Sequence, residues 1–110
     1  AEYRIEDAGS FKVLHLPRLQ IPGIDLLMTV CKIQEEIGEL TQFLGKGAAA
    51  SGEAVSLDRH TVFTGAALEL LDIAQCCFTM MYILADSYQL DLQPYLEKHE
   101  AKLRRKGYFD

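Results

Sequence analysis

Glu69 and Asp72 stand where charge is expensive. Between Val62 and Ala85 they are the only ionised side chains, in a run that is otherwise apolar, small or neutral. A step of three residues is about 60° around an α-helix, so the two carboxylates share a face. Two anions side by side in an apolar helix repel and lose hydration, at a cost on the order of several kcal/mol per ion unless something compensates. A second acidic set, Glu35, Glu36 and Glu39, precedes them and spans about a 100° arc by the same geometry. The first helix offers no cation in the right place, so the compensation must be a bound cation or a solvent-filled cleft. Five carboxylates facing one another from two helices suit a hard divalent ion, Mg²⁺ or Mn²⁺. Mg²⁺ keeps several waters and shares its shell with substrate phosphates. His15, His60 and His99 show no HExxH spacing, and none follows a helical Glu by three residues, so zinc and di-iron chemistry fit poorly. Taken alone, Glu35, Glu36 and Glu39 read more readily as a solvated helix face than as ligands.

Opposite charge gathers at the other end of the chain. Lys98, Lys102, Arg104, Arg105 and Lys106 are five of the eleven basic residues. Lys98, Lys102 and Arg105, at steps of four and three, share one helix face and suit contacts to a polyphosphate. The plainer account is that basic residues near a helix C-terminus complement its dipole.

The elements that must position these groups are helical. Asp25 caps a first helix whose apolar stripe is Leu26, Leu27, Val30, Ile33, Ile37, Leu40 and Leu44, ended by Gly45 and Gly47. Residues 45–58 form a Gly/Ala-rich loop with room for one helical turn around Glu53 to Leu57. A second helix starts between Asp58 and Thr64 and runs to about Ser87. It is apolar around its whole circumference, which predicts burial on most sides and, with so few helices to cover it, a subunit interface. In a third helix Asp91 is the N-cap, Pro94 lies in the first turn and Gly107 is the stop. Residues 1–20 read as an extension of uncertain structure, in which Phe11, Val13, Leu14 and Leu16 suit a short extended segment or part of a helix, and Pro17 interrupts it. The expected architecture is an all-α small bundle of two long helices and a C-terminal one, with one helical domain over 21–110.

Composition sets limits. The 110 residues hold one domain, 49% hydrophobic and 25% charged, which is globular rather than disordered. A net charge of −5 disfavours a grip on nucleic-acid backbones. The uncharged stretch Ile73 to Ala85 is too short to span a bilayer. Three cysteines, with Cys76 and Cys77 adjacent, make neither a disulfide framework nor a CxxC clip. No leader of charged then apolar residues opens the sequence, and the expected setting is soluble, reducing and cytoplasmic.

EEIGE (Glu35 to Glu39) matches the pattern EExxE, and ELLD (Glu69 to Asp72) matches ExxD. In that order, followed by LADSYQLDLQPYLEKHEAKLRRKGY, they resemble the MazG-like superfamily of all-α nucleoside triphosphate pyrophosphohydrolases over roughly residues 24–108. The resemblance implies Mg²⁺-dependent cleavage between the α and β phosphates, giving a nucleoside monophosphate and pyrophosphate. It implies Glu36, Glu39, Glu69 and Asp72 as metal ligands, and Glu35 as a further ligand or the base that orients the attacking water. Lys98, Lys102 and Arg105 would contact phosphate. The 29 residues between Glu39 and Glu69 are at the long end of the family's usual gap.

Phe43 and Lys46 are candidates to contact the base, with core packing the competing role for Phe43; His15, Tyr82 and Tyr88 are weaker candidates. Cys76 and Cys77 read as small core residues, since no covalent nucleophile is needed. The expected function is pool control or house-cleaning of ordinary or modified (d)NTPs by a homo-dimer or tetramer, without membrane or nucleic-acid partners. The alternative is a non-catalytic nucleotide- or metal-binding oligomeric helical module.

Overall fold

The structure, a computed structural model, describes residues 2–19, 23, 25–47 and 58–109, with the side chains of residues 46 and 47 outside that description. The chain divides into two compact units, Ala1–Met80 and Met81–Asp110. The first opens with two strands, β1 (Arg4–Asp7) and β2 (Lys12–His15), and continues into helices α1 (Leu26–Gly47) and α2 (Arg59–Asp86). The last residues of α2 belong to the second unit, with helix α3 (Gln93–Arg105). Helix dominates, as expected, but the all-α expectation needs one correction: residues 4–15 form an antiparallel hairpin.

That hairpin pairs Arg4 with His15, Ile5 with Leu14, Glu6 with Val13 and Asp7 with Lys12. Its turn is built by local chemistry. Gly9 takes φ 81°, its N–H donates to Asp7 Oδ1 at 3.2 Å, and the Ala8 N–H donates to the Phe11 carbonyl at 3.0 Å. Lys12 Nζ lies 3.0 Å from Asp7 Oδ2 across the last pair. Four-residue strands carry too little alternation to be separated from helix by pattern alone.

Each long helix starts at a carboxylate. Asp25 Oδ1 accepts from the Met28 N–H at 2.7 Å, and Asp58 Oδ2 from the Thr61 N–H at 3.4 Å. Helix α1 continues through Gly45 to Gly47 rather than stopping at the first glycine; one helical glycine costs only about 1 kcal/mol. At α3 the N-cap position is Leu92, one residue later than expected, and Asp91 Oδ1 instead accepts from the Gln93 N–H at 3.2 Å. The C-terminus of α3 is a Schellman motif: Gly107 at φ 78° donates to the Arg104 carbonyl, and Tyr108 to that of Leu103. The expected loop turn around Glu53 to Leu57 lies outside the described residues.

Helices α1 and α2 pack antiparallel, Phe43 against Gly65 at one end and Glu36 opposite Glu69 and Asp72 further along. The least exposed line of α1 is Leu26, Thr29, Ile33, Glu36, Leu40 and Phe43, at alternating steps of three and four. It is displaced from the stripe expected from hydropathy, and Leu27, Val30, Ile37 and Leu44 are left exposed. On that less exposed line Glu36 faces Glu69 and Asp72 of α2.

The close approach at Gly65 leaves no space for a side chain: a Cβ there would sit 2.7 Å from the Phe43 ring. Gly65→Val should therefore destabilise the protein by about 1–3 kcal/mol in urea denaturation. Combined with Phe43→Leu, the loss should fall short of the sum of the single losses by roughly 0.5 kcal/mol or more. Strict additivity would mean that the ring and the glycine do not set the helix approach.

Candidate metal centre

Glu36 from α1 and Glu69 and Asp72 from α2 each bring one carboxylate oxygen to within 4.8 Å of the others. Oxygens in an octahedral Mg²⁺ shell stand about 4.2 Å apart when opposite and about 3 Å apart when adjacent, so three carboxylates on one ion would draw closer together than 4.8 Å. Glu36 is buried, Glu69 half-buried and Asp72 exposed. Glu69 Oε2 is buried and has no hydrogen-bond partner among the described residues. An anionic oxygen left this way is costly, and a proton or a metal ion is what removes the cost.

Charge in the cluster is already partly balanced. Lys32 Nζ lies 3.0 Å from Glu36 Oε1, one helical turn back on α1, and 3.9 Å from Glu35 Oε2. The expectation that the first helix offers no cation is thus corrected: the Lys32-to-Glu36 spacing of four is legible, and Lys32 reaches the buried carboxylate along its own helix. A hydrogen bond shared with Glu69, then the one from Lys32, holds the Glu36 carboxyl below its usual range. The same shared hydrogen bond, followed by burial and the Glu39 and Glu36 charges, pushes Glu69 up to about 7. In turn the Glu36 hydrogen bond, then the Glu35 charge, raises Lys32. Near neutrality the metal-free cluster thus holds a carboxylate, a partly protonated carboxyl and an ammonium in contact.

The remaining expected site residues are spread over both units. Glu39 lines a small cleft of about 190 Å³ with Gln42, Phe43 and Glu69, on the flank of Glu69. Glu35 is exposed beside Lys32 and stands outside the triad. Phe43 covers Gly65, so its ring serves the helix packing while its edge borders the small cleft. Lys46 is in the last turn of α1, and its side chain lies outside the described residues. Lys98, Lys102 and Arg105 are exposed on α3 in the second unit, Lys98 Nζ lying 5.5 Å from the centroid of the Tyr95 ring. His15 ends β2 with Nε2 3.0 Å from Glu6 Oε1; Tyr82 and Tyr88 belong to the second unit.

A larger cleft of about 540 Å³ shares Glu36 and Asp72 with the triad. Its other walls include Leu19, Met28, Lys32, Gln75, Cys76 and Thr79, of which sequence reasoning singles out only Cys76, and that as core. Burial, then the Glu36 charge, pushes the Cys76 thiol up, away from nucleophilic use. Gln75 and Thr79 lie three and seven residues beyond Asp72, so the spacing that joins Glu69 to Asp72 could have found them.

The proton on Glu69 sets a pH dependence with a definite sign. A carboxyl raised from 4.5 to about 7 binds its proton more tightly in the folded protein. Its contribution is fully present below about pH 4.5 and is lost as pH rises through about 7. Glu36, shifted down, has its window below pH 4.5 and does not mask this. In EDTA, melting temperature should fall between pH 5 and 8, and Glu69→Gln should flatten that fall and melt higher than wild type at pH 8. An unchanged slope in Glu69→Gln would mean that the proton is elsewhere. Comparison of the chain with family models, with curated proteins and with solved structures gave no match, so the account of this site stands on the residues that form it.

Proposed function

We propose that the protein is a Mg²⁺-dependent nucleoside triphosphate pyrophosphohydrolase that cleaves (d)NTP between the α and β phosphates. The observation that supports it is the meeting of Glu36, Glu69 and Asp72 across two helices, with a buried Glu69 oxygen that lacks a partner among the described residues. Mg²⁺, or Mn²⁺ in its place, supplies Lewis acidity toward phosphoryl oxygens and a bound water of lowered pKa. Glu36, Glu69 and Asp72 would hold it, and Glu39 and Glu35 are the neighbouring carboxylates left to add a ligand or orient the attacking water. Lys32, within the same cleft, offsets negative charge near the substrate. The residues resemble the MazG-like signature in type and order, and that likeness supplies the choice of bond. The protein would act in pool control or house-cleaning.

A homo-oligomer is part of the proposal. In the first unit Val62 and Ala66 are the buried apolar side chains among the described residues, too small a core for stability alone. Helix α1 leaves Leu27, Val30, Ile37 and Leu44 exposed, and α2 leaves Phe63, Leu70, Leu71 and Phe78 exposed, each at near-helical repeats. By length and a mean hydropathy of 1.5, α2 would also qualify as a bilayer span. Two carboxyls near the helix centre make lipid the more expensive cover and a second copy the cheaper one. The proposed setting is cytoplasmic, as expected from the sequence.

Pyrophosphate release from a panel of (d)NTPs, with and without Mg²⁺, tests the activity. Glu36→Gln and Asp72→Asn should each lower turnover by about 10²-fold or more while leaving the oligomer intact. Orthophosphate as the product would overturn the bond assignment. No turnover on any nucleotide, with a Mg²⁺-induced rise in melting temperature retained, would favour the non-catalytic metal- or nucleotide-binding module. Sedimentation at micromolar concentration should give a dimer or tetramer in the soluble fraction; a stable monomer would defeat the account of the exposed stripes.

A further inference from the structure

The larger cleft is charged at one end only. Lys32, Glu36 and Asp72 crowd together there, while Leu19, Met28, Gln75, Cys76 and Thr79 make an uncharged remainder. Thr29 and Thr79, which border it, donate their hydroxyl hydrogens to the carbonyls of Asp25 and Gln75 at 2.7 Å, and so bring no free donor. Gln75 behaves differently. Its Nε2 donates to the Pro17 carbonyl at 2.9 Å, a part-buried bond between residues 58 apart in sequence. This ties the segment that carries Leu19 to the cleft side of α2. A carbonyl partner also fixes the amide's orientation, leaving Oε1 as an acceptor.

We propose that the N-terminal segment, tethered by Gln75, is one wall of a nucleoside-binding cleft, and that Gln75 is its positioning residue. The proposal rests on the pyrophosphohydrolase reading, which places phosphates at the charged end. A volume of about 540 Å³ falls within the range of small-molecule sites, roughly 300–1,000 Å³. A polyphosphate alone has no use for apolar walls, whereas a flat heteroaromatic base does. Walls of Leu19, Met28 and Cys76 read a base by shape, and shape discriminates modestly, by roughly 10–200-fold per methylene. The cleft therefore selects the size of the base and tolerates substituents that fit, as a house-cleaning role requires.

Three variants of the full chain test this. Met28→Trp narrows the cleft from a side chain that is 60% exposed, so the fold should tolerate it; Cys76→Phe fills the cleft; Gln75→Leu cuts the tether. Met28→Trp and Cys76→Phe should each raise KM for the best nucleoside triphosphate by about tenfold or more, with kcat within about threefold of wild type. Gln75→Leu should raise KM and flatten the preference among bases, leaving the Mg²⁺-induced rise in melting temperature unchanged. Calorimetric titration with deoxynucleoside monophosphates reads the cleft independently of turnover and should weaken in parallel. A folded Met28→Trp with wild-type KM and wild-type monophosphate affinity overturns the cleft, and an unaltered Gln75→Leu overturns the tether. If wild type hydrolyses nothing yet loses monophosphate affinity on Met28→Trp, the cleft stands and the pyrophosphohydrolase reading falls. If wild type binds no monophosphate, the cleft proposal falls whatever the turnover.

Discussion

A buried carboxylate on α1 facing a half-buried carboxyl on α2 is the constraint around which the first unit is arranged. Glu36 is 5% exposed, and a lone anion so placed would be driven to neutrality or out to solvent. Two contacts ease this charge: the ammonium of Lys32 at 3.0 Å, and Glu69, whose carboxyl is pushed up to about 7 and so holds a proton more readily. Each contact fixes geometry. Lys32 must lie one turn back on the same helix, Glu69 must stand directly across the seam, and Phe43 must fit over Gly65 for the helices to come that close.

The same constraint accounts for the surface that α1 leaves uncovered. A helix turns its most apolar side toward its partner when hydrophobic burial alone decides. Helix α1 instead turns the line through Thr29, Glu36 and Phe43 inward, with Glu36 facing Glu69 and Asp72 and its counter-charge, Lys32, on its own helix. Apolar stripes left on α1 and α2 are the consequence, and a second copy of the chain is the cover proposed for them.

Beside this seam, the hairpin and its downstream segment serve a different purpose. A two-stranded hairpin is marginal in water by itself, and this one exposes Ile5, Phe11, Val13 and Leu14. The chain just after β2 is anchored through the Pro17 carbonyl to Gln75, one turn beyond Asp72 on α2. The N-terminal residues are in this way brought to the edge of the acidic site from far away in sequence.

Much of this is written locally in the chain. Asp25 and Asp58 as caps, Gly107 as a stop, the two long helices and the shared face of Glu69 and Asp72 depend on residues within four positions of one another, where spacing alone decides. Lys32 beside Glu36 is equally local, a pairing at a spacing of four that periodicity makes legible and that a search for carboxylates alone passes over. The rest needed the third dimension. Glu35 and Glu36 are adjacent and alike in chemistry, and only the rotation of α1 against α2 makes one of them buried and the other exposed. The hairpin is too short for its alternation to outweigh helical readings of the same residues. Gln75 and Pro17 are linked by a bond that no spacing rule reaches, since distance along the chain carries no record of which surfaces meet. Local hydrogen bonding and periodicity determined the elements; the competition between buried charge and buried hydrocarbon, settled only on packing, decided which side chains the site contains.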